Sequence, residues 1–127
     1  MNIREIEQLI DSSEKSKLDF KREWYKSTDK NNHEIIKDFV ALANGNPYSV
    51  GNDAYLIVGV EEIENGSNIL HNIPTKIDLI ALKKQILQNL KNYVDPPITE
   101  FEISFIEIRD KNILVIKIPQ PKLRKSL

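Results

Sequence analysis

A chain of 127 residues, 40% of them hydrophobic, amounts to one domain and can bury a core of its own. Its net charge of −1 excludes nucleic-acid binding by bulk charge, so any such binding has to come from a local basic patch. The absence of cysteine excludes a disulfide framework, a zinc-thiolate site and a thiol nucleophile. The longest apolar run, 54–60, is far too short to cross a membrane, and the N-terminus has no basic-then-apolar signal pattern. These features lead us to expect one domain over 1–127, cytoplasmic and not membrane-bound. It is either a short stand-alone chain or the N-terminal part of a longer protein.

Ile3, Ile6, Leu9 and Ile10 recur at helical spacing, which predicts an amphipathic helix ending near Asp11-Ser12-Ser13. Leu18 and Phe20 then alternate with Lys17, Asp19 and Lys21, the period of a half-buried strand with Asp19 and Lys21 on one face. The polar segment 27–32 reads as a turn. The pattern Ile35, Ile36, Phe39, Val40, Leu42 predicts a helix over 33–43, capped by Asn44-Gly45. Residues 54–60 are apolar on both faces, as in a central strand, so Glu61 and Glu62 emerge where that strand leaves the core. A turn-rich stretch, 64–72, precedes a long helix over 77–93. Ile77, Ile80, Leu87, Leu90 and Val94 are expected inward and Lys83, Lys84 and Lys91 outward, and Asp95-Pro96-Pro97 stops the helix. Phe101, Ile103 and Phe105 alternate with polar residues, and 113–118 is a second apolar run across the turn Arg109-Asp110-Lys111-Asn112, a β-hairpin by pattern. The order αβαβαββ predicts an α+β fold with helices packed on a mixed sheet.

Basic residues cluster at Lys15, Lys17, Lys21, Arg22, Lys26 and Lys30, and again at Lys122, Arg124 and Lys125. Lys21 shares a strand face with Asp19 and is the first candidate for a phosphate contact, extended by Lys15, Lys17 and Arg22; the competing reading is a surface Lys–Asp pair. Trp24 and Tyr25 follow the basic strand. Aromatic rings among cations can stack on bases, although Trp24 reads more naturally as a core anchor. Tyr48 sits in a long loop of a kind that often carries function, or is an insertion without a role. The 45–51 segment lacks Gly-Lys-Ser/Thr and precedes a strand, so it is no phosphate loop and no ATP is expected. His33 and His71 stand outside any metal-binding pattern and suggest surface or capping roles.

Four pieces of the chain, in order, resemble the Schlafen AlbA_2 domain family: Glu14; Asp19-Phe20-Lys21; Ala41-Leu42-Ala43-Asn44; and Gly59-Val60-Glu61-Glu62. There are two departures. Asp19 stands where the family usually has Glu, and the longer 45–53 segment stands where it usually has a short Thr-x-Gly-Gly turn. The resemblance implies a domain that binds DNA or RNA. In its sharper form it implies a metal-dependent endoribonuclease in which Glu14, Asp19 and Glu62 hold Mg²⁺ or Mn²⁺; an oxygen-only ligand set suits such hard cations. Solvated surface acids are the other reading of those three residues. The resemblance also implies a two-module cleft, which a short chain would supply as a homodimer. From a different class, the alternative is a non-catalytic DNA-binding regulatory or protein-interaction module fused to an effector.

Overall fold

The computed structural model describes residues 1–12, 17–25, 33–43, 53–91, 98 and 100–119. Its elements are α1 (Ile3–Ile10), β1 (Leu18–Lys21), α2 (His33–Ala43), β2 (Ala54–Val58), β3 (Val60–Glu61), β4 (Ile69–Leu70), α3 (Leu79–Leu90), β5 (Glu102–Ile108) and β6 (Lys111–Ile118). The four longer strands form one sheet in the order β1-β2-β6-β5. β1 runs parallel to β2, with Lys21 beside Val58; β2 and β5 are both antiparallel to β6. The fold is therefore α+β on a mixed sheet, as the pattern predicts. The short β3–β4 pair is an addition that two-residue strands do not announce by periodicity.

The sheet is buried on both faces. Along β2, Ala54, Leu56 and Val58 join the core shared with α2 and α3, while Tyr55 and Ile57 join the core under α1. Ile35, Phe39 and Leu42 of α2 and Leu82, Ile86 and Leu90 of α3 fill the first core, and Phe39 meets Phe101 edge-on with ring centroids 4.9 Å apart. Ile6 and Ile10 of α1, with Leu18 and Phe20 of β1, fill the second. The result is three layers, α1 on one side of the sheet and α2 with α3 on the other.

Side-chain caps open α1 and α3: Asn2 accepts from the Arg4 amide at 2.9 Å and Asp78 from the Ala81 amide at 3.1 Å, each satisfying an orphan donor of the first turn. In α3 the inward stripe differs from the one expected. Ile80 is 85% exposed, and the buried positions are Leu82, Ile86 and Leu90, spaced four apart. Ile77 and Leu87 do pack against the core, and Val94 lies outside the described residues. Apolar residues occupy much of that helix's circumference, so its contacts rather than its period select the buried stripe.

Gly59 separates β2 from β3. Its φ is +110°, its N–H donates to the Lys21 carbonyl at 2.6 Å, and its carbonyl accepts from the His71 amide at 2.7 Å. A Cβ there would lie 2.7 Å from the His71 carbonyl oxygen and 2.9 Å from Ile113. Only glycine fits both the conformation and the space. This break turns the expected single strand over 54–60 into two, and releases Glu61 and Glu62 from the plane of the main sheet.

Candidate nucleic-acid interface

β1 is an outer strand of the sheet and carries most of the expected contact residues. Leu18 and Phe20 face α1, so Asp19 and Lys21 face the opposite side, toward α2. There the Lys21 ammonium stands 3.5 Å from Asp19 and 3.4 Å from Asp38 of α2. Burial alone would lower its pKa, but the two carboxylates outweigh that and hold it above the ordinary lysine value. The Tyr25 hydroxyl donates to Asp38 as well, at 2.5 Å. Asp38 thus ties the strand and the residues beyond it to α2.

The neighbouring residues are tied in the same way. Lys17 donates to the Leu42 carbonyl at 3.4 Å, answering one of the unpaired acceptors in the last turn of α2, and burial lowers its pKa. Arg22, two-thirds exposed, lies 3.7 Å from Glu61. His71 Nε2 is 2.8 Å from the same Glu61 oxygen, and because a carboxylate only accepts, that nitrogen carries the proton. Trp24 packs against the α2–α3 core and meets Tyr25 edge-on at 5.2 Å, so its reading as an anchor holds; Tyr25 packs there too.

Glu62 lies elsewhere. It lines a groove of about 920 Å³ with Asp11 and Ser12 at the end of α1, the 63–68 turn, and Arg109. Asn68 holds this groove together: its amide donates to the Ile10 carbonyl at 2.8 Å and the Ser12 carbonyl at 3.3 Å, and its oxygen accepts from the Ile63 amide at 3.1 Å. Arg109 donates to both carboxylate oxygens of Asp11, at 3.2 and 3.1 Å. Arg109 and Asp110 form a two-residue hairpin turn with φ of 51° and 64°.

Among the expected site residues, then, Asp19, Lys21, Arg22 and Tyr25 share one neighbourhood at β1 and Lys17 caps α2. Glu62 opens into the groove on the α1 side. Glu14 and Lys15 lie outside the described residues, as do Lys26, Lys30, Tyr48 and the basic tail. Three carboxylates offer the oxygen donors that Mg²⁺ or Mn²⁺ prefers. Among the described residues no three His, Asp or Glu side chains gather closely enough to hold a metal, and Glu14, the third expected acid, lies outside those residues.

Asp38 and Asn68 carry no signal in the sequence, and the strand-end, capping and turn readings of Glu61, His71 and Arg109 do not foretell their contacts. Each acts through a partner at least ten positions away in the chain or in another element, so local pattern carries no sign of it.

Comparison with known proteins settles the relationship. The family model described as Schlafen, AlbA_2 matches residues 14–126. The chain belongs to the Schlafen AlbA_2 family. No curated protein matches it. A solved structure resembling this AlbA_2 domain is the N-terminal domain of an ATP-dependent DNA helicase RecG-related protein from Nitrosomonas europaea, determined by solution NMR. The identity is 15% and the TM-score 0.47, over 95% of this chain and 74% of that one. Among the described residues, no helix of the AlbA_2 domain is long and apolar enough to cross a membrane.

Proposed function

We propose that this AlbA_2 domain binds nucleic acid along the outer strand β1, with Lys21 and Arg22 contacting phosphates and Tyr25 available to a neighbouring base. Lys17 and, by its place in the sequence, Lys15 would extend that contact. The observation that carries this reading is the arrangement of cations at the end of β1. Lys21 is gripped by Asp19 and Asp38, and Arg22 by Glu61, so both side chains are pre-positioned and their charge is locally balanced. A phosphate must compete with those carboxylates, which predicts modest affinity with a clear salt dependence. Family membership supports the same reading. The expected compartment is the cytoplasm.

The finer question is whether binding leads to cleavage. Asn68 fastens the Glu62 turn to Ile10, the last residue of α1, and to Ser12, two residues before Glu14 in the chain, which favours an endoribonuclease using Glu14, Asp19 and Glu62 with Mg²⁺ or Mn²⁺. The engagement of Asp19 with Lys21 favours the alternative, a non-catalytic DNA-binding or regulatory module of a longer protein. One experiment separates them: incubation with tRNA, single-stranded RNA and single-stranded DNA, in Mn²⁺ or EDTA, beside a Glu14→Ala/Glu62→Ala double variant. Cleavage that needs both the metal and the acids establishes the nuclease; retained gel shifts with intact substrate establish the binding module. If no substrate shifts at low salt and none is cut, the nucleic-acid reading falls.

A further inference from the structure

The two outer edges of the sheet are built differently. β1 is four residues long and carries the half-buried charges Asp19 and Lys21 on its α2 side, the kind of short, charged edge that resists adding a strand. β5, at the other edge, is seven residues long with the sequence Glu-Ile-Ser-Phe-Ile-Glu-Ile. It contains no lysine or proline, and its register with β6 runs from Glu102 to Ile108 without a bulge. Among the described residues, nothing pairs with its outer side.

The direction of its backbone groups follows from the hairpin. Ile108 and Lys111 close the two-residue turn and form a hydrogen-bonded pair; by alternation Ile106, Ser104 and Glu102 also bond inward to β6. The N–H and C=O groups of Ile103, Phe105 and Glu107 therefore point outward. These three positions are symmetric about Phe105. A second β5 laid antiparallel on the first, with Phe105 facing Phe105, sets Ile103 opposite Glu107 and Glu102 opposite Ile108. Every outward donor then meets an outward acceptor, giving about six new hydrogen bonds, and no two like charges are opposed.

We propose that β5 is the surface on which a second copy of this chain docks, joining two four-stranded sheets into one continuous sheet across a twofold axis at Phe105. A second copy is preferred over a foreign peptide because in this register the strand meets its own outward donors and acceptors and sets neither Glu102 nor Glu107 against another acid. One strand pair buries little compared with the interfaces of obligate dimers, so the dimer should form and dissociate with concentration. This inference names a surface for the homodimer expected of the nuclease reading, but it stands without nucleic acid and is tested in its absence.

The test uses the chain's lack of cysteine. Sedimentation across a concentration series should show a monomer–dimer equilibrium. Glu107→Pro removes an outward N–H at an exposed position while leaving the bonds to β6 intact, and should weaken dimerisation at least ~10-fold. Phe105→Cys places the new thiols across the axis with Cα atoms about 5.5 Å apart and should cross-link under mild oxidation. Glu107→Cys, with its thiols roughly 13 Å apart in this register, should not. A chain that stays monomeric at every concentration, or a dimer that Glu107→Pro leaves unchanged, overturns the proposal. So does cross-linking at position 107 in preference to 105. Nucleic-acid binding by a strictly monomeric chain would sink this inference and leave the functional reading in place.

Discussion

Tyr55 shows how a single side chain joins the centre of the sheet to the first helix. Its ring is buried in the core beneath α1 and its hydroxyl donates to Glu5 at 2.8 Å. Burial, and then the bond to Glu5, pushes the phenol above its ordinary value of 10.0. A raised pKa means that the neutral form is favoured by folding. The contribution is complete below the unfolded value and disappears as the pH climbs through the folded one. Tyr55→Phe should cost about 1 kcal/mol at neutral pH, since Glu5 is left exposed and resolvates. In urea unfolding the gap from wild type should narrow as the pH rises above about 10. Gly59 is the second telling residue. Gly59→Ala combines a positive φ with overlap against backbone, and should lower stability by on the order of 3 kcal/mol, read in the same way.

At the scale of elements, the hairpin turn departs from the residues its geometry favours. Both turn positions need positive φ, for which Asn-Gly is the usual solution, yet they hold Arg109 and Asp110. Arg109 has compensation in its paired bonds to Asp11. Asp110→Gly should therefore raise stability by roughly 0.5–1 kcal/mol, seen as a higher melting temperature. The hairpin itself is legible in the sequence because its strands alternate over many residues, and α2 because its stripe is unambiguous. The stripe of α3 is not: Leu79, Ile80, Leu82, Ile86, Leu87 and Leu90 permit more than one choice, and packing leaves Ile80 outside. The charged face of β1 is legible from period two, but its partners are not. Asp38 and Glu61 come from other elements, and nothing local foretells that they will neutralise the cations.

For the whole molecule, near-neutral charge limits what the surface can do. Nucleic-acid affinity should fall steeply with salt, and Lys21→Ala should reduce the salt slope by about one phosphate contact while leaving the fold intact, measured by fluorescence anisotropy on labelled RNA and DNA. An unchanged slope would remove Lys21 from the interface. Asp38→Asn offers the opposite sign: with one competing carboxylate gone, Lys21 is more available and binding should tighten. A purely structural Asp38 would show only loss of stability.

The strand order carries one more consequence, for motion. β5 and β6 are joined by two residues and pair locally, and β6 holds the centre of the sheet between β5 and β2. β1 occupies the rim and pairs with a single neighbour, in parallel, across the long crossover that contains α2. Local pairings close early, and distant parallel ones late. The rim strand should therefore be the last to dock and the first to lift, its amides exchanging with deuterium well before those of β6. The segment proposed to meet nucleic acid would then be able to loosen from β2 and re-form on it while the core between the sheet and α2 and α3 stays shut.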